Sequence, residues 1–192
     1  MKKLEITLGV TIILALLMNL FLIKGGAMLT ILSIGTLSVF YMYMGYPILN
    51  NLSLKTVFKR KTFSDIGTKR AIGSGLTGPV FALQLIGILF YVQSWVSGEY
   101  IQKIGVILAF VHISVTLIKY RQNQNIFYKN LLIRSLSIGG LLFILFISPK
   151  DSWLNFKYRN HPDYLKAINE AQKDIDNVEL WNKVDEERKK IK

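Results

Sequence analysis

The sequence predicts an all-α, polytopic membrane protein with about five transmembrane helices and an amphipathic C-terminal helix. A nearly continuous apolar region covers residues 6–147, and its longest polar interruption is the stretch 50–70. The apolar segments have about 17 to 25 residues each, which suits an α-helix that crosses a bilayer. The residues that follow are rich in charge. We therefore expect a transmembrane domain over residues 1–149 and a polar tail over residues 150–192.

The transmembrane domain is predicted to contain two helical hairpins and a fifth helix. Short turns at Lys24–Gly26 and Val96–Tyr100 are too brief for anything but antiparallel neighbours. No small-residue cleavage site follows the first apolar run, so we interpret that run as an uncleaved helix. The predicted helices cover residues 6–23, 27–49, 71–95, 101–118 and 131–147.

The third helix begins with several small residues, among them Gly73, Gly75 and Gly78. Small side chains allow helix backbones to approach closely in a bilayer. We therefore expect a neighbouring helix to pack against this part of the chain. The glycine spacing is not that of a phosphate-binding loop, because the Lys-Ser/Thr pair is missing.

The fifth helix is the shortest of the predicted spans and contains Arg134 one turn from its start. Such an arginine is expected to extend its side chain back to the interface, or to pair with a lipid phosphate or a substrate anion. If the fifth helix crosses fully, the tail lies outside the cytoplasm. If it only dips into the bilayer, the tail is cytoplasmic.

The tail is predicted to form one amphipathic helix over residues 162–189. Pro162 and Asp163 favour a helix start. Apolar residues then recur at steps of three and four, namely Leu165, Ile168, Ala171, Ile175 and Val178. This narrow apolar stripe is expected to dock on the membrane domain, on a partner helix or on the bilayer surface.

The polar stretch 50–70 sets the predicted orientation. It carries six of the 24 basic residues and a single acid. Short basic loops remain on the cytoplasmic side, so the N-terminus is also predicted to be cytoplasmic, in a bacterial inner membrane. The loop is expected to face anionic lipid headgroups. Its basic residues are Lys55, Lys59, Arg60, Lys61, Lys69 and Arg70.

Four polar residues are predicted at membrane depth: Asn19, Gln84, His112 and Arg134. We interpret Asn19 and Gln84 as interhelical hydrogen-bond partners, each contributing about 0.6 kcal/mol. His112 is expected to bond a neighbour such as Gln84 or Asn19. The alternative is that these groups line the path of a small transporter or channel.

The composition argues against nucleic-acid binding, a metal site and enzymatic catalysis. The net charge of +12 divides as +11 in the membrane part and +1 in the tail, which reflects topology rather than nucleic-acid binding. The chain has no cysteine and two distant histidines, so a metal site is not expected. No motif for a catalytic nucleophile, a dinucleotide or a phosphate is present. We predict a non-enzymatic protein without a cofactor.

The two hairpins can be laid over one another without gaps at one constant offset in sequence, which aligns Leu16 with Ile88. The stretch from Leu16 to Gly26 then matches the stretch from Ile88 to Gly98, including the position of the turn. Two hairpins in the same orientation form a parallel repeat, and the basic loop connects them.

The opening MKKLEI, the turn ending in Gly25-Gly26, and LFYVQSWVSG at residues 89–98 resemble a family of small bacterial membrane proteins related to GldL. GldL is the membrane subunit of the gliding and type IX secretion motor. The resemblance covers roughly residues 1–147 and implies a membrane scaffold or assembly component, with a protein partner or a homo-oligomer formed through the membrane helices or the tail.

This sequence departs from that family's pattern in the acidic residue that its motor function requires. A proton-driven stator is expected to carry an intramembrane carboxylate near a lysine. The only acids before residue 150 here are Glu5, Asp65 and Glu99, all predicted at helix ends or in loops. The resemblance therefore implies the scaffold and not the stator activity.

Overall fold

The computed structural model describes residues 2–53, 66–95, 98–149 and 152–191. These residues are helical and contain no strand. The helices are α1 (Lys2–Leu20), α2 (Gly26–Leu49), α3 (Thr68–Gln93), α4 (Gly98–Asn123), α5 (Ile126–Ile147), α6 (Ser152–Lys157), α7 (Pro162–Ala171) and α8 (Val178–Lys190). Helices α1 to α5 are each long and apolar enough to cross a membrane.

Helix α3 occupies the centre of the bundle. It packs against α2, α4 and α5, while α1 packs mainly against α2. The main core is formed where these helices meet, and its largest fully buried side chains include Tyr41, Phe81, Ile34, Ile88 and Leu142. The outward faces of α1, α4 and α5 expose large apolar side chains, as expected for helices in contact with lipid.

The fifth helix is longer than predicted. It begins at Ile126 rather than residue 131, because the side chain of Asn125 caps it by accepting a hydrogen bond from the Phe127 amide at 2.8 Å. Its 22 residues correspond to about 33 Å, enough for a full crossing. Helix α4 also runs further, to Asn123, so most of the predicted basic connection is helical.

The prediction of a single tail helix was wrong. Helices α7 and α8 are separate and fold against each other around a small core of their own. The break follows Ala171, and the Asn177 side chain starts the next helix by accepting from the amides of Glu179 and Leu180. The polar sequence between the helices satisfies backbone groups locally, which interrupts the apolar stripe.

The two hairpin turns share several backbone features in the part of each turn that the structure describes. Leu22 and Ser94, which correspond in the repeat, both adopt the left-handed region, with φ of 56° and 54°. Helices α2 and α4 then begin at Gly26 and Gly98, which correspond at the same offset. The turn hydrogen bonds also correspond: Ile23 N to Met18 O (2.9 Å) and Gly26 N to Ile23 O (2.9 Å) match Trp95 N to Phe90 O (3.0 Å) and Gly98 N to Trp95 O (3.1 Å). The parallel repeat is therefore present in the backbone.

The hairpins meet at a close crossing of α2 and α3. A Cβ atom built on Gly45 would lie 2.5 Å from the Cα of Gly78, and one built on Gly78 would overlap the carbonyl oxygen of Tyr41. Only glycine fits at these two positions. Gly73 and Gly75, also predicted to admit a neighbour, instead face open space.

Candidate polar site between the helices

An ion pair joins the first and fifth membrane helices. The guanidinium of Arg134 donates from Nε to Glu5 Oε1 at 2.6 Å and from Nη2 to Glu5 Oε2 at 2.7 Å. The hydroxyl of Tyr41 donates to the same carboxylate from α2. The two charged side chains are only 17% (Arg134) and 12% (Glu5) exposed. Helices α1 and α2 of the first hairpin and the distant helix α5 therefore share one charged centre.

The sequence predicted that Arg134 extends its side chain to the interface or pairs with a lipid phosphate or a substrate anion. Its guanidinium instead binds Glu5 in a bidentate manner. Glu5 lies in the first turn of α1, at a helix end as predicted, but its carboxylate is directed into the bundle. Arg134 and Tyr41 each lie eight residues from the helix ends near the basic loop, about 12 Å along the axis.

A second polar cluster lies beside the first. The ring of His112 contacts Thr77 Oγ1 through Nε2 at 3.1 Å and Ser135 Oγ through Nδ1 at 3.0 Å. These partners differ from the expected Gln84 or Asn19. Ser135 directly follows Arg134, so two consecutive residues of α5 serve the two clusters.

An aromatic side chain connects the clusters. Phe81 is fully buried in α3, and its ring lies 5.2 Å from the ring of Tyr41 and 5.2 Å from that of His112, in edge-to-face geometry both times. Such pairs contribute about 0.5–1.5 kcal/mol beyond area burial. Polar and aromatic side chains therefore form one connected layer across the bundle, which we call the polar layer.

Asn19 and Gln84 are both buried between helices, with 1% of each exposed. Asn19 Nδ2 lies 3.5 Å from Thr30 Oγ1 on α2, near the turn that joins α1 to α2. The carbonyl oxygens of both side chains have no hydrogen-bond partner in the described part of the chain. Neither side chain is a hydrogen-bond partner of His112, which contacts Thr77 and Ser135.

Of the six basic loop residues, Lys55, Lys59, Arg60 and Lys61 lie outside the described residues. Lys69 is exposed. Arg70 instead turns inward: its guanidinium lies 3.9 Å from the centroid of the Phe127 ring, and its Nε donates to Asn50 Oδ1 at 2.9 Å. Arg70 therefore fastens α3 to α5 and to the end of α2, which the predicted lipid contact did not include.

The tail covers the opposite end of the bundle. Tyr91 at the end of α3 lies 3.1 Å from Ser152 of α6 through their hydroxyl oxygens. Burial beside the bundle, together with the nearby charge of Arg188, lowers the pKa of the Lys157 ammonium to about 8. A cavity of about 470 Å³ opens between this end of the bundle and the tail.

Sequence reasoning missed Glu5 and Tyr41 as site residues. The available signal was that one acid directly precedes the first apolar segment and the fifth segment carries one base, and opposite charges at membrane helices tend to pair. Among the described residues, no group of three or more His, Asp or Glu side chains is arranged to hold a metal ion.

The polar layer joins every one of the five long helices through its side chains, and these contacts, rather than any likeness to a known protein, define the candidate site. Comparison with protein-family models, curated proteins and solved structures finds no match for this chain.

Proposed function

We propose that this protein is a non-enzymatic scaffold or assembly component of the bacterial inner membrane, of the kind that the GldL-related resemblance implies. The observation that carries the proposal is the internal pairing of the polar layer. Glu5, Tyr41 and Arg134 bind one another, and His112 is held between Thr77 and Ser135. A satisfied polar network makes one helix arrangement more stable than others, which suits a rigid platform.

The same pairing argues against a stator activity. A carboxylate that loads and releases protons needs a neutral form of comparable stability. Glu5 is held by two hydrogen bonds from a guanidinium that stays charged. The scaffold is therefore proposed to act through surfaces that partners recognise rather than through ion movement.

The mass of the protein in its native lipids tests the proposal. We expect the full chain, extracted from its own membrane in lipid-retaining polymer discs, to form a homo-oligomer or a stoichiometric complex with a second protein. A chain ending at Pro149 serves as the matched variant, because it separates assembly through the membrane helices from assembly through the tail. A lone monomer in both preparations would contradict the scaffold.

The proposed orientation places the N-terminus and the basic loop in the cytoplasm and the tail outside. Its support is that five helices are long enough to cross and that the tail packs at the end opposite to Asn50 and Arg70. A periplasm-active reporter fused after Lys192 should be active, and the same reporter fused within the basic loop should be silent. Activity with the opposite pattern would refute the five-crossing topology.

A small transporter or channel is the second candidate. It is favoured by the presence of an acid, a base and His112 inside candidate spans, since such residues often mark ion pathways. Proton or ion flux into vesicles containing the protein, lost in His112→Ala and retained in Lys69→Ala, would support it. Flux equal to that of empty vesicles would exclude it in favour of the scaffold.

A further inference from the structure

The cavity at the outer end lies between α3, α4, α5 and the tail. Its volume of about 470 Å³ falls within the range of small-ligand sites, roughly 300–1,000 Å³. Its walls are largely aromatic and aliphatic, and they include Phe90, Trp95, Leu145, Phe146, Leu154 and Ile175. This composition suits a hydrocarbon chain or a ring.

Two polar side chains of this wall lack partners. The Nε2 group of Gln102 and the Nε1 group of Trp153 are buried, and neither has a hydrogen-bond acceptor in the described part of the chain. Gln102 is only 5% exposed. An unsatisfied buried donor costs about 1–3 kcal/mol. A ligand that brings acceptor oxygens to both groups would remove that cost.

The repeat shows that these donors are not a general property of the fold. The position equivalent to Gln102 in the first hairpin is Thr30, whose hydroxyl contacts the carbonyl oxygens of Gly26 at 2.8 Å and Ala15 at 3.1 Å. In the first hairpin, backbone carbonyl oxygens therefore satisfy the hydroxyl group at this position. In the second hairpin a longer side chain with an unpaired donor borders a cavity.

The charge of the wall indicates an uncharged acceptor. Among the described residues that line it, the charged ones are Lys103 and Glu99, and they form an ion pair at 2.7 Å. The described residues of this wall leave no net charge to offset a buried anion, and burying an uncompensated charge is costly. An ester carbonyl meets both requirements, since it accepts hydrogen bonds and carries no charge.

We propose that this cavity binds the acyl-ester portion of a single-chain amphiphile. The ester oxygens accept from Gln102 and Trp153, and the acyl chain lies along Phe90 and Phe146. The site lies where the ends of the spans meet the aromatic side chains typical of a membrane interface, which is the depth of lipid ester groups. This inference goes beyond the proposed scaffold and does not depend on it.

Tryptophan quenching tests the site directly. The chain has three tryptophans, and Trp95 and Trp153 line the cavity. In a Trp181→Phe background, a monoacylglycerol with a brominated chain should quench the remaining fluorescence and saturate. The ether analogue, which lacks the carbonyl, should bind at least about tenfold more weakly, because it offers a poorer acceptor.

Two variants and a matched control assign the donors. Gln102→Leu and Trp153→Phe should each weaken binding about tenfold, whereas Gln122→Leu, an exposed glutamine near the other end of α4, should bind as the parent does. Ligand-free Gln102→Leu should melt at the same temperature or higher, since it removes an unsatisfied donor. This readout separates loss of binding from loss of folding.

Competition identifies the source of the ester. Displacement by lysophosphatidylglycerol as effective as by monoacylglycerol would assign the ester to a lysophospholipid, and weaker displacement would assign it to a neutral glyceride. Equal binding of ester and ether, or unchanged binding in both donor variants, would overturn the proposal. Displacement by oleate tenfold stronger than by monoacylglycerol would also overturn it, because the acceptor would then be an anion.

Discussion

The two hairpins correspond at the described residues of their turns but differ in their interiors. Their left-handed turn residues, Leu22 and Ser94, and their helix starts, Gly26 and Gly98, coincide at one offset. The polar residues that contact the α5 side of the bundle also correspond, since the same offset aligns Glu5 with Thr77. Yet Glu5 forms an ion pair with α5, while Thr77 reaches α5 through His112. The first hairpin therefore contacts α5 through a charged side chain, and the second hairpin contacts it through neutral polar side chains, although the two backbones correspond.

This difference shows that backbone geometry and side-chain chemistry are separable in such a repeat. The turn is determined by local hydrogen bonds that tolerate many side chains. The interior depends on which groups lie opposite one another after the helices pack. In the first hairpin the Thr30 hydroxyl contacts backbone carbonyl oxygens, whereas in the second hairpin the equivalent Gln102 borders a cavity.

The largest expected effect on stability comes from breaking the ion pair between Glu5 and Arg134, the charged contact to α5. Removing one member of a buried ion pair leaves the other charge uncompensated, so Arg134→Gln and Glu5→Gln should each lower the free energy of unfolding by about 3–5 kcal/mol. The double variant should lose much less than the sum, because no lone charge remains. Unfolding in a mild detergent measures the coupling, and simple additivity would contradict the ion pair.

A second experiment tests the junction between the hairpins. Gly78→Ala places a methyl group against the backbone of Tyr41 and should cost about 1–3 kcal/mol. Gly75→Ala, three residues away on the same helix, faces open space and should be neutral or slightly stabilising. Equal melting temperatures for the two variants would show that the α2–α3 crossing is looser than described.

A third experiment compares the two turns. A Cβ atom on Gly26 would lie 2.6 Å from the amide nitrogen of Asn19, whereas one on Gly98 would lie 3.2 Å from the Cβ of Phe90. Gly26→Ala should therefore destabilise the protein by about 2 kcal/mol, and Gly98→Ala by less than about 1 kcal/mol. Thermal unfolding of both variants under one condition gives the ranking, and a larger loss for Gly98→Ala would reverse it.

Smaller effects are expected at the neutral contact of the second hairpin. Thr77→Val and Ser135→Ala each remove one hydrogen bond to His112 and should cost about 0.6 kcal/mol, the average for such bonds in membranes. The nitrogen resonances of the His112 ring should shift in each variant, since each change frees one ring nitrogen. Losses as large as those at Glu5 would mean that the two clusters are one cooperative unit.

The last effect concerns docking of the tail beside the first hairpin rather than unfolding of the bundle. Lys157 has a folded pKa of about 8, below the ordinary lysine value of 10.5 that describes the unfolded tail, so the unfolded tail binds more protons between these values. Docking should strengthen as pH rises from 8 to 10.5, by at most about 1 kcal/mol for a partly exposed group. Below pH 8 the Lys157 ammonium is charged in both states, and the free-energy cost of burying that charge on docking is fully present.

Because the chain has no cysteine, Ile23→Cys with Asn160→Cys gives two unique spin-label sites for this test. The distance distribution between them should narrow as pH rises, and Lys157→Met should make it independent of pH. A distribution that broadens with pH in the parent, or one that still changes in Lys157→Met, would assign the titration to another group.

The amino-acid sequence alone determined the number of long helices, the two hairpins and their offset. Only a helix satisfies its own backbone within a bilayer, so apolar segments of sufficient length have one structural solution. The turn repeat was visible for a related reason. A tight turn depends on a few neighbouring residues, and Gly25-Gly26 and Ser97-Gly98 stand at matching places.

The tertiary structure alone decided which polar groups meet. Glu5 and Arg134 are 129 residues apart, and no periodicity links a first-helix acid to a fifth-helix base. The inward turn of Arg70 and the cavity beside Gln102 likewise depend on packing between distant segments. The length of an apolar segment is a local property of the sequence. The pairing of buried polar groups is determined only when the helices pack against one another.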